Sequence, residues 1–208
     1  MANDKFSISE ALSYGWDTFK GQIGFFLGLI VVMAAVTVIP DVIIDKVMTR
    51  GSALSIILKL GVRLVGMLLG MVVTKISLDI VDTGRSDLSK LSELLPIVPA
   101  YVIGKLIYGV IVLVGMLLLL IPGFIWAYMF LYIGYLIIDR QIGPIDALKE
   151  SRAITSGYKW SLALFSLVVA LINIGGAICL LVGLFVTIPV TLMASAYVYR
   201  RLSPKVAA

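Results

Sequence analysis

The chain has 208 residues, 61% of them hydrophobic and only 14% charged, with a net charge of +5. An ordinary soluble domain carries about 25% charged residues, so the composition excludes one and points to a helical membrane protein. The basic residues stand at the edges of apolar runs, which fits topology and anionic lipid and excludes nucleic acid as the partner.

Apolar runs near 20 residues are read as spans, because about 20 helical residues cross the hydrocarbon core. The runs are continuous and do not alternate, which excludes a membrane barrel. The pattern predicts an all-α, polytopic transmembrane bundle, one integral membrane domain over residues 1–208, with six spans.

At the N-terminus, Ser7-Ile8-Ser9-Glu10 has the form of a capping box. From there Ile8, Leu12, Gly15, Trp16 and Phe19 share one helical face, and Glu10, Ser13, Asp17 and Lys20 lie elsewhere. This predicts an amphipathic helix lying in the cytoplasmic interface, anchored by Trp16 and Phe19. The first span, Gln22–Ile39, ends at Pro40 and lacks the small-residue cleavage site of an export signal. It carries Gly24 and Gly28. In the loop that follows, Asp41 and Asp45 are four apart at the start of a short helix. The second span, Ile57–Leu78, lies inside a longer helix starting near Ser52. It carries Lys59 and Arg63, also four apart, then Gly66 and Gly70. The two GxxxG spacings permit close helix packing, within the bundle or between copies. Arg63 either snorkels to the interface or joins Lys59 in an ion-pair clamp with Asp41 and Asp45 over the outer end of the bundle.

The stretch "SDLSKLSELLP" puts Leu88, Leu91 and Leu95 on one face before Pro96. The third span, Tyr101–Ile121, and the fourth, Gly123–Ile138, meet at the uncharged turn Ile121-Pro122-Gly123. Tyr128, Tyr132 and Tyr135 stripe the fourth as packing residues and interface anchors. Then "DALKESRAITSG" from Asp146 repeats the pattern of "EALSYGWDTFKG" from Glu10. It predicts a second interfacial helix, with Ala147, Leu148, Ser151 and Ile154 on its less polar side and Tyr158 and Trp160 as anchors. The fifth span, Tyr158–Leu180, holds Asn173, which bonds a neighbouring helix or serves a ligand, and Cys179, deep in the apolar run. The turn Leu181–Gly183 leads to the sixth span, Leu184–Tyr199. The chain therefore reads as three parallel units (7–82, 86–139 and 144–201), each an interfacial helix followed by a helical hairpin.

With both termini cytoplasmic, Lys20, Lys75, Arg85, Lys90, Arg140, Lys149, Arg152, Lys159, Arg200 and Arg201 fall on the inner side. The outer loops hold only Lys46 and Arg50, with Lys59 and Arg63 near them. The positive-inside rule makes that asymmetry predictive of a cell (inner) membrane protein with cytoplasmic termini.

The residues "GPIDALKESRAITSG", Pro189 and the ending "AYVYRRL" carry a likeness. The chain resembles a family of six-span bacterial and archaeal proteins that includes the membrane domain fused to some glycerophosphoryl diester phosphodiesterases. The matching positions are Asp139, Gly143, Pro144, Ala147, Leu148, Ser151, Thr155, Gly157, Pro189, Tyr199 and Arg200. The family often has an aromatic residue after the motif's Ser, where this chain has Arg152. The resemblance implies a six-span fold and no reaction, because the phosphodiesterase activity belongs to a separate soluble barrel.

The chain has no histidine and one cysteine, which removes the commonest acid/base group and a structural zinc site. No Gly-rich phosphate loop and no nucleophile–base pair is present, so no catalytic residue, cofactor or metal is expected. The acidic residues fall outside the expected hydrocarbon segments, against a proton- or cation-coupled transporter. The expected function is a non-catalytic membrane scaffold or accessory subunit, with lipids and other membrane subunits, or further copies of itself, as partners. The rival is a small-molecule or lipid transporter or channel. Bulky side chains closing the bundle favour the first, and a polar path past Asn173 the second.

Overall fold

The structure, a computed structural model, describes residues 6–49, 51–85, 88–118, 120–179 and 182–204. The expectations on Arg50, Leu180 and Leu181, and the first two residues of the stretch "SDLSKLSELLP", lie outside those residues. Among the described residues every regular element is helical: α1 (Ile8–Gly21), α2 (Ile23–Val47), α3 (Ala53–Thr83), a 3₁₀ segment (Leu88–Ile97), α4 (Val98–Leu118), α5 (Leu120–Met129), α6 (Ile133–Arg140), α7 (Pro144–Thr155), α8 (Lys159–Ile178) and α9 (Leu184–Leu202). Four helical segments are long and apolar enough to cross a membrane: Ile23–Val47, Ala53–Thr83, Leu91–Leu118 and Lys159–Ile178. They carry much of the exposed apolar surface, for example Val31, Ile57, Leu113 and Leu167. That is the mark of a multi-pass membrane protein.

α9 is the central helix, packed against α1, α3 and α8. It buries Pro189, Val190, Thr191, Met193, Ala194, Ala196, Val198, Tyr199 and Leu202. Around it Met71, Leu78, Tyr132, Leu136, Leu162 and Phe165 fill the core. The hairpins close by backbone contact at glycine. A Cβ on Gly115 would stand 2.9 Å from Gly123 Cα, and one on Gly183 would stand 2.6 Å from Gly176 O. Only hydrogen fits there.

Several boundaries differ from the sequence reading. α2 does not stop at Pro40 but runs through it to Val47. Proline removes one intrahelical hydrogen bond, and bonding to α3 across the hairpin holds the continuation. Asp41 and Asp45 are therefore on the last turns of a long helix, not in a loop. Pro122 and Gly123 do not form the turn after the third span but stand in the first turns of α5, where proline is tolerated. The stretch expected as the fourth span is interrupted: α5 ends at Met129, and Phe130–Tyr132 form a turn before α6. The stretch from Leu88 winds as a 3₁₀ helix with three residues per turn. Leu94 and Ile97 thus face the core, and the expected Leu95 is 72% exposed. Cys179 is exposed at the end of α8, not buried.

Candidate functional site

The densest chemistry lies where the ends of α1, α3, α6, α7 and α9 converge. Arg200, just inside the C-terminus of α9, spreads its guanidinium between two carboxylates. Nε and Nη2 donate to Asp82 at 2.6 and 2.7 Å, and Nη1 and Nη2 donate to Asp139 at 2.6 Å each. The planar fork of arginine permits two bidentate pairs, which an ammonium does not. Tyr199 donates its hydroxyl to the same Asp139 at 2.8 Å. The side chains of Arg200, Asp82 and Asp139 are only 10%, 14% and 8% exposed, although Asp82 lies at an open helix end. Lys75 and Asp79 pair at 2.6 Å one turn away. These groups line a polar cavity of 160 Å³ with Glu93 and Gln141, floored by Leu78, Leu94 and Ile138.

Two further contacts surround this clasp. Arg140 pairs with Glu150 of α7 and donates to Ser203 at 2.8 Å. Glu10 of α1 accepts from Tyr197 and from Arg201, the latter at 2.6 Å. The Tyr197 hydrogen bond, then that from Arg201, holds the Glu10 carboxyl below its ordinary value. A carboxyl lowered in this way contributes above its unfolded pKa of about 4.3, and the contribution is lost as pH falls through the folded value. Glu10 thus spends its carboxylate on α9 instead of closing the capping box. Only the Ser7 half forms, with the Glu10 N–H donating to Ser7 Oγ at 3.5 Å.

The motif "SRAIT" has a structural use that the sequence reading did not supply. Ending α5 at Met129 frees that residue's carbonyl inside the protein, where an unpaired acceptor is costly. Ser151 and Thr155 of α7 both donate to Met129 O, at 3.0 and 3.1 Å. The two hydroxyls, four apart on one face of α7, cap the broken helix from the side. Replacing both, as Ser151→Ala with Thr155→Val, is expected to lower stability by about 1–3 kcal/mol. Thermal unfolding in detergent reads this, and an unchanged midpoint would refute the capping role.

The expected site residues divide. Trp16 is 45% and Trp160 88% exposed, and Lys20 lies 5.6 Å from the Trp16 ring. Tyr158 is half-buried at the start of α8. Phe19, expected as an anchor, is instead a core residue packed with Phe26, Val190 and Met193, because α1 turns Ala11, Gly15 and Phe19 inward. Gly66 and Gly70 face Thr37 and Tyr101, whereas a Cβ on Gly24 or Gly28 would meet nothing within 4 Å among the described residues. These two glycines make no close helix contact there. Lys59 pairs with Asp45 at 2.6 Å and Arg63 with Asp41 at 2.9 Å. These pairs tie the ends of α2 and α3 to each other, not a loop to the bundle; Arg63 is 72% exposed, and such pairs contribute about 1 kcal/mol or less.

In the α8–α9 hairpin, Asn173 Nδ2 donates to Thr191 Oγ1 at 3.2 Å and to Val169 O at 3.0 Å. Its Oδ1 and the Oγ1 of Thr187 are buried without a partner among the described residues. Lys105, the one charged side chain in α4, lies 5.6 Å from the ring of Tyr101, one turn nearer the helix start.

The chain matches no family model, no curated protein and no solved structure significantly. Among the described residues no group of three or more metal-ligating side chains converges on a metal site. What the clasp does chemically is to join helix ends: one arginine and its neighbours fix five helices at one level.

Proposed function

We propose that the chain is a six-span protein of the cell (inner) membrane with both termini cytoplasmic. It works as a non-catalytic scaffold or accessory subunit that organises lipids or a membrane complex. The observation that carries this is the closed bundle. Tyr132, Tyr199, Phe165, Met71, Leu136 and Met193 fill its middle, and most of the ion pairs gather in and around the clasp or join the ends of α2 and α3 instead of lining a path.

Two helical stretches beyond the four apolar segments complete the six. α9 is less apolar, with Thr187, Thr191 and Ser195 along it, but a helix enclosed by helices needs no lipid-compatible surface. α5 and α6 run in succession, and the break between them is capped by Ser151 and Thr155. Non-helical backbone at membrane depth is tolerated where protein encloses it. The three-unit reading draws support from the clasp: Asp82, Asp139 and Arg200 each stand at the end of one unit. The glycine-closed hairpins at Gly115/Gly123 and Gly176/Gly183 are shared by the last two units. α7 would be an interfacial foot, whereas α1 stands lengthwise against the second half of α9, with Glu10 at Arg201 and Gly15 at Val190. The resemblance to the six-span family belongs to this same proposal.

The orphaned oxygens of Asn173 and Thr187 favour the rival reading, a transporter or channel, since unpaired polar atoms inside a bundle can meet a passing solute.

Cysteine labelling in a Cys179→Ser background tests the topology. Met48→Cys is expected to label only from outside and Asp87→Cys only from inside, and the reverse pattern would overturn the orientation. Proteoliposomes test the function. No ion or dye flux and no glycerophosphodiester turnover are expected, and flux abolished by Asn173→Leu would replace the scaffold with the transporter.

A further inference from the structure

Between α5 and the start of α8 lies a groove of 360 Å³ lined by Phe124, Ile125, Tyr128, Lys159, Trp160 and Ala163. Tyr128, Lys159 and Trp160 supply the polar part of the lining, and Phe124, Ile125 and Ala163, one turn away along the two helices, supply the apolar part. The polar part, the upper level, carries an ammonium, an indole and a phenol. The apolar part is the lower level.

Lys159 is the first residue of α8, where the polar α7 gives way to an apolar helix. It makes no ion pair or hydrogen bond through its side chain among the described residues, whereas Lys149, on α7, pairs with Asp146. Phe124 is 47% exposed, Ile125 38% and Trp160 88%, so the groove opens sideways, away from the bundle. Its opening is one helical turn high on each wall. One turn is about 5.4 Å, the length of about four methylenes, so the lower level takes the first part of a hydrocarbon chain.

We infer that this groove holds one acyl chain of an anionic phospholipid, with the headgroup phosphate on Lys159 and the first methylenes between Phe124, Ile125 and Ala163. Trp160 covers the chain at headgroup depth, where indole is favoured. A zwitterionic lipid brings its own cation to the phosphate and competes with Lys159. A net-negative headgroup does not, and selection follows from that difference. The inference rests on the membrane reading above and names the lipid class that the scaffold would organise.

The three tryptophans are Trp16, Trp126 and Trp160. A Trp16→Phe, Trp126→Phe variant of the full chain leaves Trp160 as the only indole. It is reconstituted in phosphatidylcholine vesicles, with acyl-brominated phosphatidylglycerol or acyl-brominated phosphatidylcholine as guest at equal mole fraction. Quenching of Trp160 is expected to give a relative association constant about fivefold higher for the anionic guest, the factor that one basic residue contributes near a charged lipid. Lys159→Gln is expected to abolish the preference and Lys159→Arg to keep it. Lys149→Gln is expected to leave it unchanged. Ala163→Phe, filling the lower level, is expected to reduce quenching by both guests. Equal quenching by the two lipids, or a preference that survives Lys159→Gln, overturns the inference while leaving the membrane reading intact. Absence of quenching by either guest overturns both.

Discussion

Arg200→Ala is expected to be among the most damaging single substitutions in the chain. The guanidinium makes four charge-assisted hydrogen bonds at 2.6–2.7 Å to Asp82 and Asp139. Its removal leaves two largely buried carboxylates facing each other, with Tyr199 still donating to one of them. Removing one partner from a buried ionic group costs more than the pair contributes, because the remaining charge stays desolvated. The end of the bundle is partly open, so the expected loss is about 3 kcal/mol. That corresponds to a fall in the unfolding midpoint on the order of 10 °C for a chain of this size. Arg200→Lys is expected to fall between, since one ammonium lacks the fork that engages both carboxylates. Adding Asp82→Asn and Asp139→Asn to Arg200→Ala removes the stranded charge and is expected to recover most of the loss. Without that recovery, Arg200 acts through packing and the electrostatic account is wrong.

The clasp was half legible in the sequence. Asp139, Tyr199 and Arg200 stood among the positions of the family likeness, and each closes an apolar run. Nothing in the pattern joined them to Asp82, because the partners lie 118 and 61 positions apart and only the packing of α3, α6 and α9 brings them to one level. What the three share is place: Asp82, Asp139 and Arg200 each lie within two residues of the C-terminal end of a helix. Four of the six expected spans coincide with helices long and apolar enough to cross a membrane, because length and hydropathy decide them. The breaks were not legible. Pro40 looked like a stop, yet a helix paired along its length with a neighbour runs through it. The fourth span looked continuous, because no proline or glycine marks Phe130–Tyr132. Its signal lay elsewhere, in Ser151 and Thr155, two hydroxyls at helical spacing on an otherwise amphipathic stretch. Phe19 was misplaced for a related reason. Periodicity gives the apolar face of α1 but not how deeply that face enters the bundle, and Gly15 decides it.

At Gly15 the backbones of α1 and α9 come close together. A Cβ there would stand 2.2 Å from the carbonyl oxygen of Val190 and 3.2 Å from the nitrogen of Ala194. Both are backbone atoms of the central helix and cannot rotate aside. Gly15→Leu must therefore lift α1 off α9. Phe19, now 5% exposed among Phe26, Val190 and Met193, would leave its pocket. The stack of Tyr14 on Tyr197, with ring centroids 4.8 Å apart, would separate. Withdrawing a phenylalanine from a core costs about 3 kcal/mol alone, so α1 is expected to detach while the apolar hairpins persist. Hydrogen exchange reads this as lost protection over residues 8–21, with α3 and α8 unchanged. Gly21 is the control. It ends the same helix, and a Cβ on it meets nothing within 4 Å, so Gly21→Leu is expected to leave α1 protected. If the two variants exchange alike, α1 is held by its charged end, through Glu10 and Arg201, and not by the glycine contact along α9.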